Sequence, residues 1–121
     1  MTMAPKKTKT AKAANFAFDM EAMRAHAGDA ARLLKALANE KRLQVLCLLA
    51  EGERSVTELE NILSLRQPTV SQQLARLRLD DLVTTRRDGK TIYYSLANDD
   101  VRRVISVIYD MYCGTPASDA K

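Results

Sequence analysis

Gln67-Pro-Thr-Val-Ser-Gln-Gln-Leu-Ala-Arg-Leu-Arg78 is the stretch that decides how this 121-residue chain is read. Val70, Leu74 and Leu77 stand at i, i+4 and i+7, one stripe of a helix. The other face carries Gln67, Thr69, Ser71, Gln72, Gln73 and Arg76: amides, hydroxyls and a guanidinium, with no carboxylate. Amide and guanidinium groups pair bidentately with base edges in a major groove. An acid-free polar face of this kind fits docking against DNA. Pro68 stands in the first turn, where its missing N–H has no intrahelical partner to lose.

The flanking sequence supplies the context. Ser55-Val-Thr-Glu58 has the capping-box pattern, Ser at the N-cap and Glu at N3, and opens a helix through Leu59, Ile62 and Leu63. Ser64-Leu65-Arg66 is a short connection to the Gln67 helix. This order predicts a helix-turn-helix whose second helix reads DNA. Leu82-Val83 leads into Thr84–Leu96, where β-branched and aromatic residues flank Asp88-Gly89, a hairpin turn signal. Arg86, Arg87 and Lys90 cluster near its tip, so the hairpin reads as a wing that touches phosphates or a minor groove. A polar helix face or a basic tip alone is commonplace in small domains. The ordered set of capped helix, turn, reader helix and basic hairpin carries the reading. The expected fold is mainly α with a β-hairpin wing, a winged helix-turn-helix.

The length corresponds to one domain with a modest core. Residues 1–15 read as a disordered basic tail, 16–113 as the DNA-binding and dimerisation domain, and 114–121 as a flexible C-terminal tail. The formal charge of +4 is unevenly placed: Lys6, Lys7, Lys9 and Lys12 precede the first acid, and the rest of the chain is formally neutral. Affinity for DNA must then come from local asymmetry. Between Arg66 and Lys90 six basic residues face three acids, which puts the surplus on the reader and wing. No apolar run approaches the roughly 18 residues of a membrane span, and the N-terminus has no apolar h-region. The expectation is a cytoplasmic protein without a membrane partner.

Phe16, Phe18, Met20 and Met23 begin an amphipathic segment expected to end near Gly28. Asp29 is expected to cap a second helix with Leu33, Leu34 and Leu37 inward. Asn39 caps the next, with Leu43, Leu46, Cys47 and Ala50 on one stripe and Gly52 at its end. Asn98 caps the last helix, whose stripe is Val101, Val104, Ile105, Ile108, Met111 and Tyr112, and Gly114 ends it. Val107 and Tyr109 lie off that stripe. A terminal helix with apolar residues to spare predicts a homodimer, the last helix pairing with Phe16–His26 across a two-fold axis. Two reader helices would then meet a pseudo-palindromic double-stranded operator.

From about Ala30 to Cys113 the chain resembles the ArsR/SmtB family of winged-helix repressors. The resemblance is carried by Leu33-Leu-Lys-Ala-Leu-Ala-Asn-Glu-Lys-Arg-Leu43, Ser55-Val-Thr-Glu-Leu59, Gln67-Pro-Thr-Val-Ser-Gln-Gln-Leu74 and Arg87-Asp-Gly-Lys-Thr-Ile-Tyr-Tyr-Ser-Leu96. It implies a homodimeric repressor that an inducer releases from its operator. Many members sense metals, but here the positions of one thiolate site hold Ser55 and Thr57, which are not soft ligands. The last helix offers Asp99, Asp100 and Asp110 without a His, and the one His is His26. Neither a metal nor a cofactor is expected.

The two cysteines, Cys47 and Cys113, remain. Each alone reads as a small buried hydrophobe. As a pair they resemble the BigR/SqrR/HlyU-type dithiol subgroup, which implies redox sensing of a low-molecular-weight persulfide or polysulfide, with closure to a disulfide or polysulfide bridge. A disulfide requires Cα atoms about 4.4–6.8 Å apart, and added sulfur atoms span longer gaps. Which thiol attacks is open at this point. Cys113 is the better candidate for exposure, but a helix C-terminus opposes thiolate formation. Rival readings are a general peroxide-responsive repressor, a metal sensor, a winged-helix module that binds only protein, and a thiol-disulfide enzyme. The last lacks a Cys-X-X-Cys motif. With no nucleophile–base pair and no phosphate loop, no enzymatic activity is expected.

Overall fold

Ser55 begins the helix-turn-helix with two reciprocal hydrogen bonds. Its Oγ accepts from the Glu58 amide at 3.2 Å, and the Glu58 carboxylate accepts from the Ser55 amide at 2.8 Å. This capping box satisfies two N-terminal backbone donors that would otherwise have no partner. In the computed structural model, which describes residues 17–114, helices run over Met20–Leu37 (α1), Glu40–Glu51 (α2), Val56–Leu63 (α3), Gln67–Leu79 (α4) and Asp99–Cys113 (α5). The strands are Arg54–Ser55 (β1), Val83–Asp88 (β2) and Thr91–Leu96 (β3), in the antiparallel order β1-β3-β2. The expected N-terminal tail, Phe16 and the expected C-terminal tail beyond Gly114 lie outside the described residues.

The winged helix-turn-helix is present. Ser64 closes α3 in the left-handed region (φ 56°), and its amide donates to the Glu60 carbonyl. That residue turns the chain so that α4 starts three positions later. Val70, Leu74 and Leu77 of α4 are buried, as their spacing predicted. The wing closes through Gly89 and Lys90, with Asp88 opposite Thr91, and Gly89 takes φ 66°, which glycine adopts without steric cost. The third strand was not anticipated. β1 is two residues long and pairs Arg54 with Tyr94 and Ser55 with Tyr93. Ser55 thus serves strand and cap together, and two residues leave no alternation to detect.

Three expectations need correction. The predicted break at Gly28–Asp29 does not occur, because α1 runs through both. A helical Gly costs only about 1 kcal/mol relative to Ala, and Ala25, Ala27, Ala30 and Ala31 around it are strong helix formers. Its start is capped by Asp19, whose carboxylate accepts from the Glu21 and Ala22 amides. Leu34 does not point inward: it is 62% exposed, while Ala36 and Leu37 are buried and Leu33 packs on the core. In α2 the fully buried set is Val45, Leu46 and Leu49, with Leu43, Cys47 and Ala50 only partly covered. In α5 burial is deepest at Val101 and Ile105, and Met111 and Tyr112 near its end are exposed.

Two units are distinguished in the chain, residues 1–31 and 32–121. The described part of the first is the short lead-in and the N-terminal portion of α1. The second holds the core, in which α2 packs against α4, α5 and β3. Asn39 and Asn98 cap α2 and α5 as predicted, accepting from the Arg42 and Val101 amides at 3.0 Å each. Replacing Ser55 by Ala removes the cap of the helix-turn-helix, and about 1 kcal/mol of unfolding free energy is expected to be lost in urea denaturation.

Candidate functional site

The reader helix α4 begins without a side-chain cap, since Arg66 makes no capping hydrogen bond. Its first turn contains no acid, and Arg76 and Arg78 stand in its last turn. The residues singled out in the sequence are not equivalent. Gln72 and Arg76 are exposed opposite the buried stripe, and Arg76 Nε donates to Asp80 at 3.0 Å. Gln67 is exposed and its amide donates to Ser71 Oγ at 2.9 Å. Thr69 and Ser71 are half-buried on the flanks. Gln73 turns toward α2, where its Oε1 accepts a long 3.5 Å bond from Arg42, whose Nε donates to the Ala36 carbonyl at 2.7 Å. Arg42 thus touches both the end of α1 and the reader helix, and sequence reasoning had not singled it out.

On the wing, Lys90 is exposed at the turn, and Arg87 is exposed with Nη1 donating to the Gly89 carbonyl at 3.3 Å. Arg86 is held differently. Its Nη2 and Nε donate to Glu53 Oε1 and Oε2 at 2.6 and 3.1 Å, and its guanidinium lies 4.8 Å from the Tyr93 ring centre. Ser95 Oγ lies 3.4 Å from the same carboxylate. The Arg86 hydrogen bonds hold the Glu53 carboxyl below its ordinary range, and Glu53 in turn raises Arg86. Glu53 carried no sequence signal, because its partner is 33 positions away.

The two thiols line one groove of about 740 Å³. Leu43, Cys47 and Ala50 of α2 form one wall, and Ile105, Ile108 and Cys113 of α5 another, with Leu63 at the end of α3 also contributing. Of the stripe read from spacing, Leu43, Cys47 and Ala50 line the groove, while Leu46 is buried in the core. Both thiols are free, Cys47 half-covered and Cys113 exposed. Burial is the main cause that pushes the Cys47 thiol up, and negative charge at Cys113 and Glu51 adds to it. The Cys113 charge acts on Cys47 across the groove. Glu51 is itself paired to Arg54 at 2.7 Å. Among the described residues no group of three or more His, Cys, Asp or Glu side chains is placed to hold a metal ion, and no helix is long and apolar enough to cross a membrane.

Thiolate is the reactive form, so exposure and ease of ionisation set the order of reaction. Cys113 is expected to alkylate first with iodoacetamide near neutral pH. Cys47 should lag, its rate still climbing at pH values where an ordinary thiol has levelled off. Peptide mapping after timed quenching measures both.

Residues 39–85 match the bacterial regulatory protein, arsR family. The chain is 43% identical to the transcriptional activator HlyU of Vibrio cholerae, over 78% of its own length and 88% of that protein. It is 49% identical to the biofilm growth-associated repressor of Agrobacterium fabrum, over 78% and 80%. The crystal structure of the transcriptional repressor BigR from Xylella fastidiosa superposes with a TM-score of 0.74 at 40% identity, covering 81% of this chain and 100% of that one. With the helix-turn-helix, the wing and these relatives in place, the chain belongs to the ArsR family of bacterial regulatory proteins.

Proposed function

We propose that the protein is a homodimeric transcriptional repressor that leaves its operator when reactive sulfur bridges Cys47 and Cys113. The observation that carries this reading is the shared groove: the chain's two cysteines, 66 positions apart in sequence, line one apolar cleft as free thiols. The exposed face of α4, with Gln72 and Arg76 foremost and Gln67, Thr69, Ser71 and Gln73 beside it, reads the major groove. Arg87 and Lys90 hold phosphate. The dimer is supported by the apolar residues exposed on α5 (Val107, Tyr109, Met111 and Tyr112) and on the lead-in and start of α1 (Phe18, Met20 and Met23).

The chemistry balances with a persulfide as oxidant. Cys113 thiolate attacks the terminal sulfane sulfur of R–S–SH, giving Cys113–S–SH and RS⁻. The departing thiolate takes the proton of Cys47. Cys47 then attacks Cys113 Sγ and expels HS⁻, leaving a disulfide. Two thiols have lost two electrons, and the sulfane sulfur has become sulfide. Transfer of further sulfane atoms before closure gives a polysulfide bridge instead. Either bridge ties α5 to α2 beside Leu63, the residue before the turn into the reader helix. A change there alters the DNA affinity only through two states that differ in it.

Intact mass of the reduced protein, treated in parallel with excess glutathione persulfide and with hydrogen peroxide, tests the sensor. A cross-link formed only with persulfide, as a two-hydrogen loss or with added sulfur, and lost in Cys47→Ser or Cys113→Ser, is the expected result. Loss of two hydrogens with both reagents identifies a general oxidation switch, and an unchanged mass with both removes the sensing role. The same serine variants are expected to stay on the operator under persulfide. For the DNA face, Lys90→Ala should weaken all duplexes alike and lower the salt slope by about 0.9. Gln72→Ala should instead narrow the gap between operator and unrelated DNA, about 1–3 kcal/mol for a bidentate base contact. Fluorescence anisotropy over a salt series measures both.

A further inference from the structure

The three-stranded sheet is tied across its middle. Glu53 immediately precedes β1, and Arg86 lies on β2, the opposite outer strand. Tyr93 is directly opposite Arg86 in the ladder, and Ser95 lies two positions along β3, so both are on the face that the Glu53–Arg86 pair crosses. The contact therefore spans the central strand, a distance of roughly two strand spacings, about 10 Å. Nη2 and Nε are taken by the two oxygens of Glu53, and Nη1 faces Asp88 at 3.9 Å. The Tyr93 ring covers one guanidinium face.

An isolated surface ion pair contributes little. This one differs in being bidentate, stacked on a ring and joined by a hydroxyl. It also fastens the wing to the segment that leaves α2, where β1 supplies only two paired residues. A phosphate ligand needs N–H groups free to turn toward DNA; Glu53 holds the Nε and Nη2 edge of Arg86 and Asp88 lies 3.9 Å from Nη1, whereas Lys90 is exposed at the turn.

We infer that Arg86 is a positioning residue, clamped by Glu53 across the sheet to set the direction of the wing, and not one of the wing's phosphate ligands. The inference rests on the DNA-binding reading above and revises the sequence expectation for Arg86. The wing presents Arg87 and Lys90, and Glu53 and Arg86 decide where those two residues reach.

The test is anisotropy of a duplex from the protein's own promoter over a salt series, with wild type, the charge-neutral pair E53Q/R86Q, R86K and K90A. The expected result for E53Q/R86Q is a several-fold loss of affinity at every salt concentration with the wild-type slope retained, while K90A loses about 0.9 of slope. R86K keeps the charge but not the fork, so it should fall with E53Q/R86Q. Hydrogen exchange at Thr84–Leu96 should quicken in E53Q/R86Q while its melting temperature stays within a few degrees of wild type. A slope reduced by about 0.9 in E53Q/R86Q makes Arg86 a phosphate ligand and overturns the assignment. So does an affinity and slope both equal to wild type. Absence of wild-type binding to the promoter overturns the DNA-binding reading itself, a result distinct from either.

Discussion

Everything else in the second unit depends on burying one side of α2. Val45, Leu46 and Leu49 are fully covered, and the elements that cover them come from α4, α5 and β3. Burying a side chain of this size contributes about 1.5–3 kcal/mol. The helix-turn-helix, the wing and the terminal helix are all placed by reference to that surface. Cavities here are costly: truncating a buried Leu to Ala typically loses about 2–5 kcal/mol. The same helix carries Cys47 on its other apolar side, so the groove inherits a rigid floor. The thiol is held at a fixed height above the core instead of on a loop.

The parts legible in the sequence are those encoded within a few residues. The Ser55–Glu58 box, the Asn39 and Asn98 caps, the Val70–Leu74–Leu77 stripe and the turn at Gly89 each depend on neighbours in the chain. All were read correctly from spacing and residue chemistry. The two thiols were marked as a pair only through a resemblance. Their placement in one groove comes from the packing of α5 on α2, which no local pattern encodes.

What was not legible follows the same logic. α2 is apolar on two sides, and a single-stripe reading joined Leu46 of the core to Leu43, Cys47 and Ala50 of the groove. The break expected at Gly28 gave a lone residue more weight than the alanines around it. Glu53 looked like one more surface acid because its meaning lies on another strand. The contact of Gln73 with Arg42 was equally invisible, because the two residues stand 31 positions apart. In each case the missing information was a partner distant in sequence.

The two-sided character of α2 also bears on how such a protein changes over time. Val45, Leu46 and Leu49 are constrained together, since shrinking any one opens a cavity in the same core. Leu43, Cys47 and Ala50 are less tightly enclosed: they pack against the core on one side and border a cleft on the other. Exchange of a cleft side chain therefore leaves Val45, Leu46 and Leu49, and the elements packed on them, in place. The boundary between the core side and the cleft side thus runs lengthwise down a twelve-residue helix.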